Sequence, residues 1–182
     1  MLDPKFTPFP EIKTQRLLLR RMTPKDAGVI LSLRSNENVM KYIDRERTRT
    51  FNEAKDFLAK IDASIVSNNG IMWGIVFKDN PEELIGNIGY WRLIKEHYRA
   101  EIGYMLDPAY WKKGIMKEAI LAVIDFGFND MNLHSIEANI NPGNEASAKI
   151  LEATGFVKEA YFKEDFYFNG VFGDTIIYSR LR

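Results

Sequence analysis

The hydrophobic pattern is clearest in residues 98–106, where apolar positions alternate with other residues. The alternating positions are Tyr98, Ala100, Ile102, Tyr104 and Leu106. A period of two residues is typical of a strand with one buried face. Asp107-Pro108 follows directly, and proline both lacks a backbone donor and holds the preceding residue extended. The pattern therefore predicts a strand that ends at residue 106.

From Lys113 to Phe128 the spacing becomes helical, with apolar residues on most of the helix surface. These residues are Ile115, Ala119, Ile120, Val123, Ile124 and Phe128. A helix of this kind is mostly buried. The loop before it holds two lysines and Gly114, so free backbone N–H groups and a helix N-terminus would face an anion there. On these residues alone, an ordinary connection with a solvated lysine pair is the simpler interpretation.

The rest of the chain continues the alternation of strands and helices. Further strands are predicted at residues 16–21, 71–78, 84–93, 134–141, 157–168 and 171–181. Helix starts are predicted at Thr23-Pro24, at the capping box Thr50–Glu53 and at Asn144. Asn169-Gly170 predicts a hairpin turn between the last two strands. The order is therefore β-α-α-β-β-β-α-β-α-β-β, and the charged segment Lys41–Arg49 fits a solvated loop better than a loop that holds a substrate.

Composition narrows the class of protein. The chain has 182 residues, enough for one domain spanning residues 1–182 with a substantial core. Lys+Arg and Asp+Glu are both 25, so no net charge favours nucleic acid or an anionic membrane as a partner. Without cysteine, and with only His97 and His134, neither a thiol nucleophile nor a histidine-rich metal site is expected. The N-terminal residues lack the apolar run of a signal peptide, so we expect a cytoplasmic protein.

Four stretches of the sequence, taken together, resemble one protein family. They are TQRLLLRRMTPKDA at 14–27, AEIGYMLDPAYWKKGIMKEA at 100–119, NPGNEASAKILEATGF at 141–156 and FNGVFGDTIIYSRL at 168–181. In this order they resemble the GNAT superfamily of N-acetyltransferases, and more narrowly its branch of ribosomal-protein N-terminal acetyltransferases. The resemblance implies an α+β fold with a single mixed, largely antiparallel sheet of about seven strands and about four helices. It also implies a V-shaped splay between the fourth and fifth strands.

The resemblance implies acetyl-CoA as cofactor and an amine as acceptor. The residues carried over to the cofactor are Met105 and Leu106, for the pantetheine arm and thioester, and Lys112, Lys113, Gly114, Ile115, Met116 and Lys117, for the phosphates. Asn144 would bond the CoA arm with its amide while its oxygen caps a helix. The family pattern in the phosphate loop begins with Gln or Arg and ends with Gly or Ala. This chain has Trp111 and Met116 there, so the Met116 side chain has to point away from the phosphate.

Glu101 is the first candidate for the base that accepts the amine proton. Glutamate is depleted in strands, and here it shares a face with Gly103 and Met105. A surface carboxylate paired with Arg99 or with a neighbouring strand is an equally good interpretation. Glu164 and Asp165 are further candidates, as bases or as substrate-binding carboxylates.

The tyrosine that many GNAT enzymes use as an acid is replaced by Leu151. Ser147 is therefore the first candidate for a hydrogen bond to the departing thiolate, with water and Tyr178 as alternatives, and a plain first-turn polar role is nearly as good an explanation. Among the aromatic residues Trp73, Tyr90, Trp91 and Tyr104, we expect one or two to line the acceptor pocket and the others to be core.

Several rival functions lack their motifs in this sequence. It has no GxxxxGK[ST], no GxGxxG after an early strand and no G-x-S-x-G. The remaining alternative is a GNAT-fold module that binds acyl-CoA as a sensor or docking domain without catalysis. As an enzyme, the chain would transfer acetyl directly within a ternary complex, because it has no cysteine to carry the acyl group. The acceptor would be a protein N-terminus or a small molecule such as a polyamine or an aminoglycoside, and the family resemblance makes a homodimer plausible.

Overall fold

The computed structural model describes all 182 residues and contains eight strands. They are β1 (Ile12–Lys13), β2 (Leu17–Arg21), β3 (Ile71–Phe77), β4 (Gly86–Ile94), β5 (Arg99–Leu106), β6 (Ser135–Ile140), β7 (Val157–Phe168) and β8 (Val171–Leu181). All eight form one sheet in the order β1-β2-β3-β4-β5-β6-β8-β7. Every neighbouring pair is antiparallel except β5 and β6, which are parallel.

Five α-helices accompany the sheet, and none is long and apolar enough to cross a membrane. They are α1 (Ala27–Ser35), α2 (Glu37–Met40), α3 (Phe51–Val66), α4 (Ile115–Asn129) and α5 (Glu145–Glu152). The predicted mixed α+β fold with a largely antiparallel sheet is confirmed. The structure has one strand and one helix more than the sequence indicated. Strand β1 and helix α2 have two and four residues, too few for a hydrophobic period to be recognised.

Helices cover both faces of the sheet. Buried residues of α4 and of β3–β6 form the larger core cluster, which includes Trp73 and Tyr90. The Tyr90 hydroxyl donates to the Val123 carbonyl of α4 (2.8 Å), and the Trp73 indole donates to the Pro10 carbonyl (2.6 Å). Helices α1 and α3 pack with Met22, Val76 and Leu84 in a second cluster. Trp73 and Tyr90 are therefore core residues, as expected for most of the aromatic side chains.

Short backbone signals set the turns near the carboxyl end. Asn169 and Gly170 both have positive φ (49° and 84°), the geometry of the tight hairpin turn that this dipeptide predicts. Helix α5 ends as Gly155 takes φ +85°. The Phe156 and Gly155 amides donate to the carbonyls of Leu151 and Glu152, the hydrogen-bond pattern of a Schellman ending.

The parallel strands β5 and β6 diverge, as the family resemblance implied for the fourth and fifth predicted strands. They pair only at Arg99↔Ser135, Ala100↔Ile136 and Glu101↔Glu137. After Glu101 the two strands no longer pair, and β5 continues alone on this side to Leu106. Glu101 therefore lies at the vertex of a V-shaped opening in the sheet.

Candidate functional site

A cleft of about 1490 Å³ occupies the opening between β5 and β6. Its walls come from the segment 38–45 after α1, from β4 and β5, from the start of α4, from the β6–α5 connection and from the β7–β8 hairpin. The predicted site residues that line it are Glu101, Met105, Leu106, Lys112, Gly114, Ile115, Met116, Lys117, Asn144 and Ser147. Residues far apart in sequence thus meet in one cavity. Of the residues predicted for the cofactor, Lys113 does not line it.

One end of the cleft is suited to an anion. Gly114 is the residue before α4 and has φ +73°, in the left-handed region that favours glycine. A Cβ built on Gly114 would meet only Arg16 Nη2 within 4 Å, at 3.5 Å, so the backbone here is open to a close approach. The Met116 side chain is buried and belongs to the core cluster. The first N–H groups of α4 therefore face the cleft unobstructed, which fits the diphosphate of a coenzyme A.

Thr14 and Arg16, before β2, and Glu118 of α4 form a hydrogen-bonded clamp that fixes the loop before α4. Glu118 accepts hydrogen bonds from Thr14 Oγ1 (2.5 Å) and from Arg16 N and Nε (2.8 and 2.7 Å). Arg16 Nη1 in turn donates to the Lys113 carbonyl at 3.0 Å. Burial acts to raise the pKa of Glu118, but the Thr14 and Arg16 hydrogen bonds lower it overall. The Lys113 ammonium lies 5.4 Å from the ring centroid of Tyr110, and Lys113 contributes its backbone carbonyl to the clamp.

Met105 and Leu106 lie on the free part of β5. Met105 pairs with Asn87 of β4, and the Leu106 carbonyl accepts a hydrogen bond from Trp111 Nε1 at 2.8 Å. This bond gives Trp111, which departs from the family pattern, a structural role at the start of the loop. It also means that the Leu106 carbonyl already has a partner within the chain.

Glu101 is buried at the vertex of the cleft, with 6% of its surface exposed. Its Oε2 has no hydrogen-bond partner, and Arg92 Nη1 lies 3.8 Å away, close enough for an ion pair but too far for a hydrogen bond. Burial raises the pKa of Glu101, while Arg92 and, more weakly, Asn139, Arg45 and Trp91 oppose the rise. Glu101 is thus a buried carboxylate with an elevated pKa. Of the alternative interpretation, the ion pair with a neighbouring strand is present, through Arg92, and the surface position is not.

Ser147 and Asn144 lie on the other side of the opening, at the start of α5. Asn144 Oδ1 accepts from the Ser147 amide (3.1 Å), which confirms Asn144 as the helix cap and leaves its amide donors for a ligand. The Ser147 hydroxyl shares a 2.6 Å hydrogen bond with the Tyr104 hydroxyl of β5. Burial raises the pKa of Tyr104 to about 12, so its phenol stays protonated at neutral pH. Leu151 is fully buried in the core and supplies nothing to the cleft.

Of the four aromatic residues considered in the sequence, Trp91 and Tyr104 line the cleft, and Trp91 is 45% exposed with the guanidinium of Arg45 5.8 Å from its ring centroid. Sequence reasoning missed other residues of this wall. Arg34 and Asn87 line it as well. An asparagine inside the apolar run of β4 was the one available signal, because asparagine is depleted in strands. Of the two carboxylates predicted in the hairpin, Asp165 lines the cleft and Glu164 does not.

The arrangement combines an anion-binding helix start, an open strand edge and a carboxylate of raised pKa within one cleft. Comparison with known proteins gives the same picture. The model of the "Acetyltransferase (GNAT) domain" matches residues 16–157. The uncharacterized N-acetyltransferase YoaA of Bacillus subtilis is 38% identical over 171 residues, which cover 94% of this chain and 96% of that protein.

Two solved structures are similar along nearly the whole chain. The ribosomal-protein-S5-alanine acetyltransferase from Vibrio fischeri has a TM-score of 0.82 and 29% identity, covering 94% of this chain and 96% of that one. A spermidine N-acetyltransferase from Vibrio cholerae, in complex with CoA and spermine, has a TM-score of 0.79 and 27% identity, covering 91% and 95%. One of these relatives is named for a protein acceptor and the other for a polyamine.

Proposed function

The chain belongs to the GNAT acetyltransferase family and is an N-acetyltransferase, and on that premise we propose that it acetylates a primary amine directly, with Glu101 as the general base. The observation that carries the proposal is the position of Glu101 at the last β5–β6 pair, where it lines the cleft and has an oxygen that lacks a hydrogen bond. A buried carboxylate of raised pKa is suited to taking a proton from an amine.

Binding of acetyl-CoA would use the loop and helix start at the other end of the cleft. The N–H groups after Gly114 would hold the diphosphate, and the side chains of Lys112 and Lys117 would add positive charge at the rim. The Asn144 amide would bond the pantetheine arm. Arg16 and Glu118 keep the loop in its open shape, because their hydrogen bonds tie it to the start of β2.

When bound, acetyl-CoA supplies an activated acetyl group, whose C–S bond breaks as the C–N bond to the acceptor amine forms. Glu101 accepts the proton that the amine nitrogen loses. Arg92 and Asn139 lie beside Glu101 and stabilise it in its charged form before that transfer. Direct transfer is favoured because the chain has no cysteine that could carry the acetyl group.

The Tyr104–Ser147 pair would stabilise the leaving sulfur by a hydrogen bond. Its hydroxyls are linked at 2.6 Å and line the cleft, so one of the two protons is directed outward from the pair. A phenol with a pKa of about 12 does not give its proton up to a thiolate, whose reference pKa is about 8.5. We therefore assign the pair a hydrogen-bonding role, with solvent supplying the proton that ends on sulfur.

Release of free thiol from acetyl-CoA tests this function. The purified protein is given acetyl-CoA with alanine- or serine-initiated peptides, with spermidine and with an aminoglycoside, and acetylated products are identified by mass spectrometry. Turnover with any amine, lost in Glu101→Gln, supports the proposal. Calorimetric binding of CoA without turnover on any amine contradicts it and favours the sensor alternative.

A further inference from the structure

A β-bulge in β4 lies directly beside the proposed base. Tyr90 pairs with Ile102 of β5 and Arg92 pairs with Glu101, so Trp91 is an extra residue between the two pairs. Consecutive residues of a regular strand point to opposite faces of the sheet, but a bulge redirects them. Arg92 Nη1 lies 3.8 Å from Glu101 Oε2, and Trp91 is one of the hydrogen-bond donors that oppose the rise of the Glu101 pKa caused by burial. The bulge therefore brings two neighbouring side chains of one strand to the same carboxylate.

Gly103 provides the space that Trp91 occupies. Gly103 follows Glu101 by two residues, so both lie on the same face of β5. A Cβ built on Gly103 would lie 3.2 Å from Trp91 Cδ1 and 3.6 Å from Trp91 Nε1. The first distance is shorter than the ~3.5–4.0 Å of an ordinary carbon contact, so even an alanine would press on the indole. The indole can therefore lie against β5 only because residue 103 has no side chain.

The three tryptophans of the chain differ in what their indole N–H groups meet. Those of Trp73 and Trp111 donate to backbone carbonyls, at 2.6 and 2.8 Å. The Trp91 side chain acts as a donor toward the carboxylate of Glu101. An indole can only donate, and a donor stabilises the charged form of a carboxylate. The exposed tryptophan of the cleft thus acts on the group that has to be charged to work as a base.

We infer that Trp91 is a positioning residue for the base, held by the bulge and by Gly103 so that its indole N–H donates to Glu101 and keeps the carboxylate in place at the vertex of the cleft. The inference rests on the proposed function and adds a residue to it. In this role Trp91 neither takes a proton nor touches a reacting atom. It restricts the rotamers of Glu101, whose Oε2 has no hydrogen bond within the chain and stays available to the amine.

Other charged groups surround the base and have to stay constant in a test. They are Arg92 on β4, Arg45 in the segment before α3, Glu137 on β6 with its ion-pair partner Arg99, and the cleft-lining carboxylates Asp44, Asp165 and Asp174. Trp91→Phe keeps all of these groups and an aromatic ring, and it removes the N–H donor. Any change in the titration of Glu101 then reports on that donor.

The pH profile of acetyl transfer is the first measurement. Loss of a donor to the charged form should raise the pKa of Glu101 in Trp91→Phe. The base works deprotonated, so the acid limb of kcat/KM should move to higher pH. On that limb kcat/KM should fall about two- to tenfold, the effect of one ordinary hydrogen bond. Gly103→Ala, which presses on the indole, should move the limb in the same direction. Thiol release is followed with acetyl-CoA and the fastest of the amines named above.

Two controls separate positioning from a general structural role. Trp111→Phe removes the other indole N–H of the cleft, which donates to the Leu106 carbonyl, and should leave the acid limb in place whatever it does to CoA affinity. In a Glu101→Gln background, Trp91→Phe should cause no further loss of turnover, because it acts through the carboxylate.

NMR of isotope-labelled glutamate carboxylates measures the pKa of Glu101 without any acceptor, with the Glu101 signal assigned by its absence in Glu101→Gln. An unchanged pKa in Trp91→Phe overturns the inference and leaves Glu101 as the proposed base. A higher KM for the amine with the acid limb in place also overturns it, because the indole then binds the acceptor. Trp91→Phe decides the question alone if Gly103→Ala fails to fold. Full turnover in Glu101→Gln, or none on any amine in the wild type, overturns the proposed function itself.

Discussion

Asp26 and Glu101 are buried to the same degree, with 4% and 6% of their surfaces exposed, yet their surroundings are opposite. Asp26, just before α1, accepts hydrogen bonds from Arg20 Nη1 and Nη2 (3.0 and 2.8 Å) and from the Thr23 amide (2.7 Å). Glu101, at the vertex of the cleft, has Arg92 at 3.8 Å and an Oε2 without a hydrogen bond. One carboxylate is fully paired, and the other is left partly unpaired.

The pKa shifts of the two acids follow from this difference. Burial acts to raise the pKa of both. At Asp26 the hydrogen bonds from Arg20 and Thr23 outweigh burial and lower the pKa, whereas at Glu101 burial prevails and raises it. Burial by itself therefore does not distinguish a structural carboxylate from a reactive one. The two carboxylates differ in the hydrogen bonds that they make within the chain, and in the proposed function the one with fewer of them is the base.

The largest expected effect concerns the unpaired acid. Glu101→Gln keeps the shape of the side chain and removes the proton acceptor, so kcat should fall by about 10² to 10⁴, the usual contribution of a general base. Affinity for acetyl-CoA should not change, since the proposed diphosphate site lies at the other end of the cleft. Stopped-flow and calorimetric measurements on both proteins check this. Equal turnover in the two across the pH range rules Glu101 out as the base.

Substitution of Asp26, the fully paired acid, should lower the stability of the protein and leave its turnover unchanged. Asp26→Asn leaves Arg20 without its counter-charge, and we expect about 3 kcal/mol less free energy of unfolding, at the lower end for a broken buried pair. Because the folded-state pKa of Asp26 lies below its unfolded value of 3.8, the deficit is complete above that pH. It shrinks as pH falls through the folded pKa. Urea unfolding at several pH values measures it, and a large loss of kcat in the folded variant would erase the contrast with Glu101.

A substitution at Gly114 tests the anion end of the cleft. Gly114→Val places a β-branched side chain at φ +73°, where an L-residue costs about 1–2 kcal/mol, so the loop should move. We expect a five- to thirtyfold weaker affinity for CoA, with kcat at saturation little changed. Isothermal titration checks the affinity. Gly170→Val, at the positive-φ hairpin turn outside the cleft, is the matched control and should leave CoA binding unaltered.

The smallest effect is expected at Arg92, which is half exposed and therefore partly screened. Arg92→Gln removes a charge that lowers the pKa of Glu101, so this pKa should rise further. The base works deprotonated, and the acid limb of kcat/KM should therefore move to higher pH. Stability should decrease above pH 4.5, the unfolded value, because a raised folded-state pKa disfavours the charged form there. An acid limb that stays in place or moves to lower pH contradicts the assignment of that limb to Glu101.

Local signals in the sequence were sufficient to predict most of the strands, helices and turns. The alternation up to Leu106 and the Asp107-Pro108 stop predicted β5 to within one residue of its start. Thr50, Asn144 and Asn169-Gly170 marked two helix starts and a hairpin, because caps and tight turns depend on a few neighbouring residues. Strand β1 and helix α2 were not predicted. Elements of two and four residues are too short to show a hydrophobic period, and they form through contacts with neighbouring elements.

The features of the site also fall into those that the sequence indicated and those that only the tertiary structure shows. The family resemblance of the sequence indicated which residues could hold a coenzyme, because Gly114 and the start of α4 lie in one of the stretches that carry that resemblance. Only the tertiary structure decided that Lys113 is not among the residues that line the cleft, that Tyr104 and Ser147 share a hydrogen bond, and that Asn87 and Arg34 line the cleft. The pKa of Glu101 likewise depends on burial and on Arg92 across the sheet. Burial and pairing arise between residues that are distant in sequence, and a one-dimensional pattern does not contain them.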